Sequence, residues 1–101
     1  YDVAVYAASW PQARIGAWDA LLRARAIENQ CYVLGINRVG SDPSAFYDGH
    51  SVAVDFVGNV MGRLAEGEAG VIRTELDHER LDAYRERFRA WEDADRFTLT
   101  V

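Results

Sequence analysis

The sequence predicts an α/β fold, and three observations carry that prediction. Residues 3–8 and 32–37 are near-continuous apolar runs, the pattern of strands covered on both faces. A stretch with helical periodicity lies between them, and two short strand-like runs joined by a Gly-Asn turn follow.

Val3-Ala4-Val5-Tyr6-Ala7-Ala8 reads as a central strand, because both faces of its pleat are apolar. Pro11 marks the break after it. Ile15, Trp18, Leu21, Leu22 and Ile27 then recur at helical spacing, so a helix is expected over residues 12–29. A second strand is expected over 32–37, and Gly40-Ser41-Asp42-Pro43-Ser44 is a cluster of turn formers that makes a loop. Residues 51–56 and 60–64 flank Val57-Gly58-Asn59, where Gly and Asn tolerate positive φ, and together they predict a β-hairpin. Gly67 and Gly70 bracket a further turn before a short strand over 71–74. Asp77 is placed to cap a helix carrying Leu81, Tyr84 and Phe88 on one face, and the remaining tail, 91–101, is acidic and aromatic.

A chain of 101 residues makes one domain at most. Its net charge of -5 argues against a nucleic-acid or anionic-membrane surface, since phosphate binding needs clustered positive potential. Arg85, Arg87 and Arg89 are the nearest approach to such a cluster, but Glu86 and Glu92 lie among them and make an ion-paired face the expectation. All eleven basic residues are Arg. The lone Cys31 cannot form an internal disulfide, and no apolar run approaches the roughly 20 residues that span a bilayer, so a cytoplasmic setting is the default expectation. A chain that opens almost on a buried-type strand, with two helices for an expected five-strand sheet, also suggests that further polypeptide precedes it.

Several residues invite chemical roles. Cys31 opens an apolar strand, where Cys usually behaves as a small buried hydrophobe rather than a nucleophile. His50 and His78 fall in a turn and at a helix start without the spacing of metal ligands, and Ser51 has no acid-base support in the sequence; no cofactor or metal is expected. Arg23, Arg25 and Glu28 share the first helix, with Arg25 and Glu28 spaced as an ion pair. Ser9-Trp10-Pro11 stands where a strand ends and a helix begins, at the carboxyl edge of the sheet that ligands of open α/β folds favour; it also suits an aromatic plug closing the core.

The run from Tyr1 through Ser9-Trp10-Pro11, followed by Arg23-Ala24-Arg25-Ala26-Ile27-Glu28-Asn29, resembles the segment after the catalytic cysteine in amidases of the nitrilase superfamily. Asn37-Arg38-Val39-Gly40, Gly49-His50-Ser51 and the stretch Tyr84-Arg85-Glu86-Arg87-Phe88 with Trp91-Glu92-Asp93 extend the resemblance over essentially the whole chain, and the tail is most similar to the omega-amidase branch. Ser9 stands where this branch often has Asn, and Phe56 where its hairpin often has Pro.

The resemblance implies that residues 1–101 are the C-terminal part of a single carbon-nitrogen hydrolase domain, one portion of a four-layer αββα sandwich. It implies a Glu-Lys-Cys mechanism in which a carboxylate activates the thiol and a lysine stabilises the oxyanion. Those residues lie upstream in the family, and this chain has no Lys, so it carries no catalytic residue of that triad. By the same resemblance Ser9 and Trp10 line the acyl pocket of a small amide substrate, and Arg23, Arg25, Glu28 and Asn29 support it structurally. A homodimer formed through the 12–29 helix and the C-terminal tail is also implied.

Overall fold

The computed structural model describes residues 1–89. Strand β1 (Val3–Ala8) lies parallel to β2 (Tyr32–Asn37), in register from Val3 opposite Tyr32 to Ala8 opposite Asn37. A parallel pair needs a crossover, and helix α1 (Ile15–Asn29) supplies it. Residues 12–14, expected as the first helical turn, form a 3-10 turn instead, entered from the extended backbone of Pro11. At the other end Gln30 takes the left-handed conformation (φ 48°), and the Cys31 N–H reaches back to the Ala26 carbonyl, closing the helix in the manner usually given to glycine.

Trp18, Leu22 and Ala26, each one turn after the last, bury against Cys31, Val33, Val52 and Val54. Gly35 lies directly beneath them; a Cβ there would stand 2.5 Å from Leu22 Cδ1. Leu21 and Ile27, which periodicity groups with the buried face, are 44% and 49% exposed.

β5 (Val52–Val54) pairs antiparallel with β2, and β6 (Val60–Arg63) antiparallel with β5, giving one sheet in the order β1-β2-β5-β6. The connection between β5 and β6 is the expected hairpin. Asp55 Oδ1 accepts hydrogen bonds from the N–H groups of Val57 and Asn59, and Gly58 supplies the positive φ. Helix α2 (His78–Phe88) is capped by Asp77, whose side chain accepts from the Arg80 N–H, and it buries Leu81 against Tyr32 and Phe56. Phe56 and Tyr84 stack at 4.9 Å, and Tyr84 and Phe88 at 4.8 Å.

The sheet departs from expectation in three places. β1, expected as a central strand, lies at the edge of the described sheet: among the described residues only β2 pairs with it, and Val5 is 58% exposed. Residues 71–74 join no ladder among the described residues, and their Ile72 side chain covers Gly62 of β6. Among the described residues the sheet accordingly has four strands where five were expected. The loop expected from Gly40 opens into a small separate hairpin of β3 (Val39–Ser41) and β4 (Phe46–Asp48). Asp42 closes its turn, with Oδ1 accepting from the Ser44 hydroxyl and from the backbone N–H groups of Ser44 and Ala45. The acidic and aromatic tail from Trp91 lies outside the described residues.

Candidate functional site

The parallel strands β1 and β2 end side by side, and the chain leaving β1 passes through Ser9, Trp10 and Pro11 at that carboxyl edge. Asn37, the last residue of β2, fixes this segment. Its Oδ1 accepts from the Trp10 N–H at 2.7 Å, and its Nδ2 donates to the Trp10 carbonyl at 2.9 Å and to the Gly49 carbonyl at 2.8 Å. The amide therefore acts as a two-sided clamp, with oxygen and nitrogen each matched to the backbone group it faces. Its own backbone is held from the other side by Ser51, which accepts from the Asn37 N–H and donates to the Asn37 carbonyl. The single hydroxyl proton of Ser51 is thus spent on β2.

Trp10 is half-buried, with its indole N–H donating to the Arg14 carbonyl and its ring 5.9 Å from that of Trp18. The Arg14 guanidinium lies over the Trp10 ring at 5.1 Å. Trp18 is buried and donates to the His50 carbonyl, linking α1 to the turn before β5. Ser9 is exposed beside Trp10. The two residues form an accessible rim on a rigid base.

The four helix residues divide. Arg23 Nε donates to the Gly58 carbonyl and fastens α1 to the β5–β6 turn. Arg25 and Glu28 pair at 2.6 Å with both side chains about half exposed, and Asn29 donates to the Arg25 carbonyl one turn back. These three make a local cluster on the outer face of α1. Arg85, expected on an ion-paired face, is instead an anchor: it donates to the Gln30 carbonyl, to Asp2 and to the Tyr1 carbonyl, tying α2 to the end of α1 and the start of β1. Its hydrogen bond is the main reason the Asp2 carboxyl is held below the ordinary carboxylate range.

Cys31 is fully buried in the core under α1, and burial pushes its thiol above the ordinary value. A raised pKa reduces the thiolate fraction at neutral pH, which suits a packing residue rather than a nucleophile.

His50, in a left-handed conformation at the turn between β4 and β5, sits between Asp19 and Asp48; Nδ1 is 3.2 Å from Asp19 Oδ2 and Nε2 is 3.4 Å from Asp48 Oδ2. Sequence spacing does not reveal this grouping, because Asp19 comes from α1 and the others from the far side of β2. His78 lies in an exposed setting near Asp2 and Asp82.

Residues 3–86 match the model of the carbon-nitrogen hydrolase family. The chain belongs to the carbon-nitrogen hydrolase family. The omega-amidase YafV of Yersinia enterocolitica is 50% identical over 98% of the chain, which corresponds to 39% of that protein. The 2-oxoglutaramate amidase of Bacillus subtilis is 42% identical over 91% of the chain and 35% of its own length. A crystal structure of XC1258 from Xanthomonas campestris, a CN-hydrolase superfamily protein with an arsenic adduct in its active site, superposes with a TM-score of 0.87 at 40% identity, over 92% of this chain and 35% of that one. This carbon-nitrogen hydrolase chain thus spans about two fifths of the length of the curated relatives it matches. The α/β class and the superfamily expected from the Trp10 and Arg25 motifs are those found.

Proposed function

We propose that this chain is the C-terminal part of an omega-amidase-like hydrolase, which cleaves the carbon-nitrogen bond of small ω-amides of dicarboxylic acids and releases ammonia. The observation that carries the proposal is the identity of one half to an omega-amidase across nearly the whole chain. In this reading a cysteine thiolate outside residues 1–101 attacks the amide carbon, the C–N bond breaks as ammonia takes a proton, and water hydrolyses the resulting thioester to acid and free thiol. This chain's contribution is positional. Trp10 and Ser9 form part of the acyl pocket wall, and Asn37 holds them at the sheet edge through three hydrogen bonds.

Arg23 supports the wall indirectly by fixing α1 to the hairpin, while Arg25, Glu28 and Asn29 order the outer face of α1. That outer face, with its exposed Leu21, and the tail from Trp91 are the surfaces we assign to a homodimer contact. The exposed β1 and the open face carrying Leu34 and Ile36 would be covered by the remaining layers of the αββα sandwich. The described helices include none long and apolar enough to cross a membrane; a cytoplasmic enzyme is the setting we propose.

The experiment is ammonia release by the full-length protein from 2-oxoglutaramate and succinamate, with N-carbamoyl amino acids as the competing class. Turnover of an ω-amide, with KM raised several-fold by Trp10→Ala, is expected. Turnover confined to the N-carbamoyl compounds would overturn the substrate assignment.

A further inference from the structure

Asp48, His50 and Glu66 converge so that one ligand atom from each lies within 4.8 Å of the others. Asp48, the last residue of β4, is 2% exposed, and its Oδ1 has no hydrogen-bond partner among the described residues. His50 Nε2 is likewise buried and unpartnered, although it faces Asp48 Oδ2 at 3.4 Å. An unsatisfied buried carboxylate oxygen is costly unless something compensates it.

The arrangement around the imidazole shows what would compensate it. Asp19 Oδ2 lies 3.2 Å from Nδ1, so a carboxylate stands on the outer ring nitrogen. With the ring proton on Nδ1, Nε2 would turn a lone pair towards Asp48 Oδ2, and a cation between the two would satisfy both. Two donor atoms each about 2.1 Å from a tetrahedral ion stand about 3.4 Å apart, which is the separation of Nε2 from Asp48 Oδ2. A carboxylate on the outer nitrogen is also the partner that orients metal-bound histidines.

We propose that Asp48, His50 and Glu66 bind a divalent first-row ion of the zinc class, with Asp19 as the positioning residue for the imidazole. Mixed imidazole and carboxylate donors suit Zn²⁺ and its neighbours better than Ca²⁺ or Mg²⁺. Glu66 is exposed and on a turn, so its side chain can close onto the ion from solvent. A cleft of about 240 Å³ lined by Asp19, His50, Arg63 and Glu66 gives the entry path. The two carboxylates of its lining, Asp19 and Glu66, outweigh the single Arg63. The ion would join α1, the turn before β5 and the turn after β6, and is a structural fastening independent of the amidase assignment.

The test uses the full-length protein, titrated with Zn²⁺ by calorimetry and with Co²⁺ by visible absorption. One ion per chain is expected, with a higher unfolding temperature in its presence. Glu66→Gln and His50→Asn should each weaken binding at least tenfold, and Asp19→Asn about tenfold. Asn tolerates the left-handed backbone at His50 (φ 60°), so that variant keeps the turn. Glu68→Gln, on the same turn, should leave affinity unchanged. No binding at millimolar ion, or binding undiminished in both Glu66→Gln and His50→Asn, would overturn the site and leave His50 as a bridge between two carboxylates.

Discussion

Replacing Asn37 by Ala tests the physical basis of the proposed pocket wall. The substitution removes three hydrogen bonds, of 2.7, 2.9 and 2.8 Å, and leaves the Trp10 N–H, the Trp10 carbonyl and the Gly49 carbonyl without their partners. Water can reach the Trp10 groups, which are half-buried, so each of those bonds is worth about 1 kcal/mol. Gly49 is buried, and its stranded carbonyl costs about 2 kcal/mol. The expected loss is therefore about 4 kcal/mol, read as a lower urea midpoint at unchanged m-value. Asn37→Asp keeps the acceptor for the Trp10 N–H but turns a charged oxygen towards two carbonyls, and should be at least as damaging at neutral pH. In active full-length protein, KM should rise in both variants because Trp10 loses its anchor. A stability loss below about 1 kcal/mol in Asn37→Ala would refute the clamp.

Gly35→Ala pushes a methyl group to within 2.5 Å of Leu22 Cδ1, and overpacking of this kind should cost about 1–3 kcal/mol in urea unfolding; a neutral result would mean that α1 rides higher on the sheet. Arg85→Gln should destabilise by about 2 kcal/mol through its lost bonds to Gln30, Asp2 and Tyr1, whereas Arg25→Gln should stay within about 0.5 kcal/mol because its pair with Glu28 is exposed; equal effects would contradict this division. Hydrogen bonds from Ser44 and Tyr47 hold the Asp42 carboxyl down at about 2. A folded-state pKa below the unfolded one gives stability that is full above about pH 4 and is lost as the pH falls towards 2. Asp42→Ala should flatten the stability profile in that window, and an unchanged slope would count against the turn network.

What the sequence disclosed depended on how local the cause was. The Asp77 cap, the Val57-Gly58-Asn59 turn and the strands 3–8 and 32–37 are each determined by neighbouring residues, and all are present. The β3–β4 hairpin escaped notice because its ladder is only three residues long and its signal was taken up by the turn formers it encloses. Residues 71–74 have strand-like composition but find no ladder to join, so composition misled there. β1 reads as central because its side chains are apolar on both faces; pairing is a property of neighbours, which side-chain pattern does not supply. The place of the Trp10 segment, between the end of a strand and the start of a helix, was legible from Pro11 and the flanking apolar patterns. Asn37 as its clamp, and Asp48 with His50 and Glu66 as a group, arise from contacts across the sheet and between turns, where no periodicity signals them. Arg85 joins residues more than fifty positions away, and its charge alone suggested only a solvated face.

In the proposed division of labour this chain shapes the site and a cysteine elsewhere performs the chemistry. The most direct test of that division is to quench the full-length protein during turnover of an ω-amide and locate the acyl group by peptide mass mapping. The adduct is expected on a cysteine outside residues 1–101, with Cys31→Ala still forming it. An acyl group on Cys31, lost in Cys31→Ala, would contradict the account.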